Sequence, residues 1–178
     1  MATFQNTVTI RRPVADVFAF LADFENVPKW NKAILWTRKT SPGPVGVGTT
    51  YRQVRTVPST SEEGFEVTGF EPPRRLEVHG DIGPFAATIG YLLAPMGDST
   101  QLTNAVDLAP SSGALRLLAP LAAFRVKAAV AANLDTLTRI LETGRRRPWA
   151  AARVAARGSR GSPAGPAGRP GGRGHAGA

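Results

Sequence analysis

The sequence predicts an α+β fold in which seven antiparallel strands curve around one long C-terminal helix, with two short helices after the first strand. Three observations carry this. The stretch from Arg12 to Trp36 opens on Pro13 and spaces Val14, Val17, Phe18, Phe20 and Leu21 at helical intervals. From there to about Gly113 the pattern is that of successive strands with short, turn-rich connections. The last strong pattern is helical and long. Strands followed by one terminal helix favour a meander with the helix laid across it. A curved sheet and a helix meeting in this way tend to leave a cavity, and a cavity suggests a ligand.

Each element has its own justification. In TFQNTVTI, residues 3–10, Phe4, Val8 and Ile10 share one face, with Thr7 and Thr9 opposite, as in a half-buried strand. A short helical element starts at Asp23 and ends at Pro28-Lys29-Trp30. Ala33 to Lys39 reads as the second strand, SPGPVGVG as a turn-rich connection, and TTYRQVRTV as the third strand. Ser59 to Ser61 read as a turn. GFEVTGFEP and RRLEVHG are the fourth and fifth strands, separated at Pro72-Pro73. In PFAATIGYLLAP the alternation puts Phe85, Ala87, Ile89, Tyr91 and Leu93 on one face. Met96-Gly97-Asp98 turns the chain into TQLTNAVDLAP, the seventh strand.

The terminal helix is expected from about Ala114 to Glu142, with Gly144 as its stop. Val126, Val130, Leu134, Leu137 and Leu141 form one apolar stripe. Pro120 should break or kink it, leaving Ala114 to Ala119 as a separate turn or entrance segment. From Pro120 to Gly144 the helix would run about 36 Å at 1.5 Å per residue, enough to cross a sheet. Its many alanines allow close approach or leave space for a ligand.

Composition bounds the function. The chain has 178 residues and no cysteine, so neither disulfides nor thiolate chemistry is available. The net charge of +9 is unevenly spread. Up to Gly144, 14 basic residues face 13 acidic ones, while the last 34 residues hold 8 arginines and no acid. The expected organisation is a nearly neutral domain, 1–144, and a disordered Arg/Ala/Gly/Pro-rich basic tail, 145–178. A near-neutral domain offers no electrostatic footprint for nucleic acid. The tail segment RRRPWAAAR, 145–153, suits weak contact with an anionic membrane or nucleic acid, against the plainer reading of a solvated appendage. The N-terminus has no signal-peptide pattern and no stretch is long and apolar enough to span a membrane, so a soluble cytoplasmic protein is expected. Nothing in the chain indicates an oligomeric state.

Chemistry-bearing motifs are few. There is no G-x-S-x-G, and the two histidines are His79, ending the fifth strand, and His175, in the tail. No metal site and no cofactor are expected, because no ligand spacing surrounds His79, and Glu62, Glu63 and Glu66 read as a solvated strand edge. GPVGVG, 43–48, is followed by Thr49, Thr50 and Tyr51, which are strand formers, whereas a phosphate loop needs a helix there. What remains is a set suited to lining a pocket. Trp30, Trp36, Tyr51, Phe65, Phe85, Tyr91 and Phe124 supply aromatic surface, with Phe70 beside them, and Asn104 an orienting polar group. Glu66, Arg55 and Arg125 are further polar candidates. A one-residue register slip would reverse any strand residue's facing.

The segments PVADVFAFLADFENVPKWNKAI, VGVGTTYR and NLDTLTRILE, in this order, resemble the polyketide cyclase/START-like (SRPBCC, Bet v 1-like) superfamily over about Thr3 to Thr143. The resemblance implies a helix-grip fold with an apolar cavity. It is poorly specific for function, since the superfamily spans cyclases, lipid carriers, hormone receptors and hydrolases. The first functional expectation is binding of a small hydrophobic or aromatic molecule, lipid- or polyketide-like. The second is a polyketide cyclase/aromatase or dehydratase, with His79, Tyr91 or Arg55 moving a proton or stabilising an enolate. A chaperone-like accessory protein recruited through its tail is a third. A converging acid–base pair in the cavity would favour the enzyme; apolar walls with one anchor would favour the binder.

Overall fold

The computed structural model describes residues 2–82, 85–110 and 119–144. Strand β1 is Ala2–Ile10, followed by helix α1 (Val14–Ala22), a 3-10 turn (Phe24–Asn26) and helix α2 (Val27–Trp30). Strands β2 (Ile34–Lys39), β3 (Thr50–Arg55), β4 (Ser61–Glu71), β5 (Arg75–Ile82), β6 (Phe85–Met96) and β7 (Ser99–Pro110) come next, and helix α3 (Ala119–Thr143) is last. All seven strands form one antiparallel sheet in the order β1-β7-β6-β5-β4-β3-β2. This is the expected helix-grip architecture. The chain reverses direction at every step of the meander and closes it by returning β7 beside β1.

Two differences from the sequence reading have local causes. Helix α3 begins at Ala119, so Pro120 sits in its first turn. There the missing N–H breaks no helical bond, and proline starts the helix instead of kinking it. The rest of the expected turn from Ala114, and the tail from Arg145, lie outside the described residues. Strand β4 starts at Ser61, three residues before Gly64 where the sequence pattern placed it. The added turn-side residues pair fully with β3, as Arg55↔Ser61, Val54↔Glu62 and Gln53↔Glu63.

The core lies on the concave face of the sheet. Helix α1 contributes Val17, Phe18, Phe20 and Leu21, and the far end of α3 contributes Leu134, Leu137 and Leu141, all buried. Full burial of each such side chain is worth about 1.5–3 kcal/mol. The other half of α3 is different: from Phe124 to Asn133 no side chain is fully buried, and Phe124 is 72 % exposed. The buried end is also clamped. Arg12 Nε donates to the Leu141 carbonyl at 2.6 Å, Arg12 also reaches the Gly144 carbonyl, and Arg11 pairs with Glu142 at 2.9 Å. Cationic donors at a helix C-terminus satisfy orphan carbonyls and oppose the helix dipole.

A bulge in β4 sets which residues look inward. Val67 pairs with Val78, but the next pairs are Gly69↔Glu77 and Phe70↔Leu76. The extra residue reverses the alternation. Phe65 and Val67 therefore face the core before the bulge and Phe70 after it, where its ring meets Phe18 edge-on at 5.5 Å.

Candidate functional site

A cavity of about 70 Å³ lies between the short helices and the inner face of β3–β6. The helical side supplies Phe24, Val27, Trp30 and Asn31. The β3 and β4 walls supply Gln53 and Phe65. Val78, Gly80, Asp81 and Ile82 come from β5, and Ala87, Ile89 and Tyr91 from β6. Gly80 lets β5 lie close against β4 beside Phe65, its cross-strand partner. A Cβ on Gly80 would stand 2.4 Å from the Gly64 carbonyl oxygen and 2.5 Å from the Phe65 Cβ.

Behind this wall the aromatic rings are packed against one another. Tyr51 stacks on Phe65 at 5.0 Å, and Phe24 meets both, at 4.9 and 5.3 Å. Burial, with Asp23 and Glu25 nearby, holds the Tyr51 phenol well above its usual pKa. Burial alone does the same for Tyr91. Both stay protonated across the physiological range.

A buried charged group stands at the end of β3 and β4. Arg55 Nε meets Glu63 Oε1 at 2.7 Å, and Gln53 Nε2 donates to Glu63 Oε2 at 3.0 Å. The expectation of a solvated edge at Glu62, Glu63 and Glu66 is corrected at Glu63, whose side chain is 3 % exposed; Glu62 and Glu66 are exposed. The cause is topological. Strand β4 lies inside the sheet between β3 and β5, so alternate residues must face the core. Gln53 thus touches the cavity on one side and the buried ion pair on the other.

The aromatic and polar candidates separate into groups. Trp30, Phe65 and Tyr91 line the cavity. Tyr51 packs behind Phe65. Asn104 lies on the inner face of β7 directly across from Tyr91. Phe85 is half-buried in a separate cluster with Phe4, Ala87, Val106 and Leu108, beneath Val126 and Val130. Trp36 is half-buried on β2 with the Arg38 guanidinium 5.2 Å from its ring. Phe124 points to solvent. Of the proton-transfer candidates, Tyr91 lines the cavity, Arg55 is tied to Glu63, and His79 is on the convex face with Nδ1 3.1 Å from Thr88 Oγ1. The glycine-rich stretch 43–48 is a loop leading into β3, with Gly43 and Gly48 at positive φ. Among the described residues no three metal-ligating side chains converge, and no helix is long and apolar enough to cross a membrane.

Sequence reasoning missed Phe24, Val27, Asn31, Gln53 and the β5 residues of the wall. For β5 the signal was present. Val78, Gly80 and Ile82 share the parity of Leu76, an obvious core residue, whereas Asp81 has the opposite parity and carried no such signal. For the helical side there was none, because a four-residue helix has no period to read.

The geometry defines a helix-grip protein with a mainly apolar cavity between its sheet and its short helices. The chain belongs to the family described as polyketide cyclase/dehydrase and lipid transport, which it matches over residues 1–142. Comparison with curated proteins gives no match. Among solved structures it is similar to TTHA0849 from Thermus thermophilus, at 16 % identity and TM-score 0.66, covering 79 % of this chain and 97 % of that one. The ZhuI aromatase/cyclase from Streptomyces sp. R1128 superposes with TM-score 0.64 at 14 % identity, covering 80 % and 96 %. The di-domain aromatase/cyclase StfQ of the steffimycin pathway gives 0.66 at 15 %, with 79 % of this chain covering 50 % of that one. At such identities the structures share the fold. Family membership supports a hydrophobic molecule bound in the cavity.

Proposed function

We propose that the protein binds a small hydrophobic or aromatic molecule, lipid- or polyketide-like, between its sheet and its helices. One observation carries this reading: among the described residues, the wall is built of aromatic and aliphatic side chains with a few polar groups, Asn31, Gln53, Asp81 and Tyr91, and no histidine. Such a wall binds by excluding water and orients by a few polar contacts. At about 70 Å³ the cavity is far below the several hundred Å³ of typical ligand sites. Binding therefore needs an opening motion, and the lightly buried half of α3 is the element with least to lose. The full chain should bind a fatty acid or an environment-sensitive dye one-to-one and change the fluorescence of Trp30. No saturable binding across a panel of lipids and aromatics would refute the reading.

The second reading is a polyketide cyclase/aromatase or dehydratase. The family description and the aromatase/cyclase neighbours support it. Tyr91 is the residue it would use, as a protonated phenol donating to a developing enolate. Turnover of a poly-β-ketone substrate that Tyr91→Phe loses while keeping affinity would establish it. A cytoplasmic location, and a salt-sensitive contact of residues 145–178 with an anionic surface, stand as proposals that rest on composition and charge alone.

A further inference from the structure

Three side chains form a polar row across the inner face of the sheet: Asn6 on β1, Asn104 on β7 and Tyr91 on β6. The register places Asn6 opposite Asn104 and Asn104 opposite Tyr91. Directly opposed residues hold their Cβ atoms roughly 4.5–5.5 Å apart. Asn104 is 1 % exposed, and its Nδ2 donates to the Gly90 carbonyl at 3.2 Å. That bond fixes the amide and leaves Oδ1 buried without a partner. Asn6 Nδ2 is likewise buried and unpartnered. An orphan donor thus stands beside an orphan acceptor, in a sheet whose other buried polar groups are mostly paired. Buried polar groups without partners are rare in native proteins and ask for one.

The geometry points to Asn6 and Asn104 as an anchor for a single hydroxyl group of the bound molecule. This inference rests on the cavity-binding reading above. A hydroxyl accepts from Asn6 Nδ2 and donates to Asn104 Oδ1 at once, which a carbonyl or an ether cannot do. Neither asparagine is among the residues lining the cavity; Tyr91, which lines it, is the cross-strand neighbour of Asn104, so the hydroxyl reaches the pair past Tyr91 on the opening that binding requires. The ligand class is therefore an apolar or aromatic molecule bearing a phenolic or alcoholic hydroxyl.

The test uses the full chain with phenol and toluene, which differ by a hydroxyl against a methyl. Ligand-observed NMR titrations give Kd for each with the wild type, Asn104→Leu and Asn6→Val. The ratio of toluene to phenol Kd should fall by about five- to tenfold in Asn104→Leu, the worth of one hydrogen bond. Toluene affinity itself should hold within about twofold, since the apolar wall is intact. Asn6→Val should shift the ratio the same way, and carries the test if the leucine variant does not fold. An unchanged ratio in both variants would overturn the anchor and leave the pair to a buried water, with cavity binding intact. If neither compound binds the wild type, the cavity reading fails and the anchor with it.

Discussion

Gly80 shows how a single position can be closed to substitution. Any Cβ there meets the Gly64 backbone oxygen at 2.4 Å, and a backbone atom cannot rotate away. Gly80→Ala should lower stability by about 1–3 kcal/mol, as overpacking does, measured by urea denaturation. A melt equal to wild type would mean the strands separate freely there. The Arg55–Glu63 pair behaves differently, because its side chains are 12 % and 3 % exposed. Removing one partner strands a buried charge, so Glu63→Ala should cost about 3–5 kcal/mol. The double variant Arg55→Ala/Glu63→Ala should cost clearly less than the sum of the two single changes. Glu142 reports on pH. Its hydrogen bonds to Arg11 hold its carboxyl below the usual range. That contribution is present above the unfolded pKa of about 4.3 and is lost as pH falls through the lower folded value. Glu142→Gln should melt below wild type near neutrality, and the two should converge once the pH has fallen below the lowered folded value.

At the scale of elements, α3 is two helices in one. Leu134, Leu137 and Leu141 seat its C-terminal half, and Arg12 holds its last carbonyls. The half from Phe124 to Asn133 rests on partial contacts such as Val126 and Val130. Local stability follows buried apolar contact. Amide hydrogen exchange should therefore be faster over 124–133 than over 134–142. Arg12→Ala should cost about 1–2 kcal/mol and raise exchange near the helix C-terminus. Uniform protection along α3 would remove the basis for opening at its N-terminal half. The sequence stripe from Val126 to Leu141 already marked the face that packs. It carried no sign of the gradient along that face, because equal spacing says nothing about how far the sheet extends beneath.

For the whole molecule, opening and binding should be linked. A ligand that needs the cavity enlarged stabilises the folded state in proportion to the logarithm of its concentration over Kd. Saturating toluene or a fatty acid should raise Tm and slow exchange over 124–133 together. A rise in Tm with no change in that segment would place the opening elsewhere.

Element type, order and strand parity were legible in the chain. The alternation of Phe85, Ala87, Ile89, Tyr91 and Leu93 and the helical spacing of Val17, Phe18 and Leu21 are local properties of backbone geometry. They need no knowledge of the rest of the fold. Asn6 was readable in the same way, sharing parity with Phe4 and Val8, yet its meaning depends on Asn104, about a hundred residues away. Glu63 was misjudged because its burial follows from the place of β4 inside the sheet, a long-range fact. Phe65 and Phe70 face the same core only because a bulge between them reverses the alternation. Which aromatic rings meet in a wall, how small the space between them is, and which polar atoms remain without partners are set by contacts between distant segments. Periodicity along one segment carries no information about them, and the tertiary arrangement alone settles them.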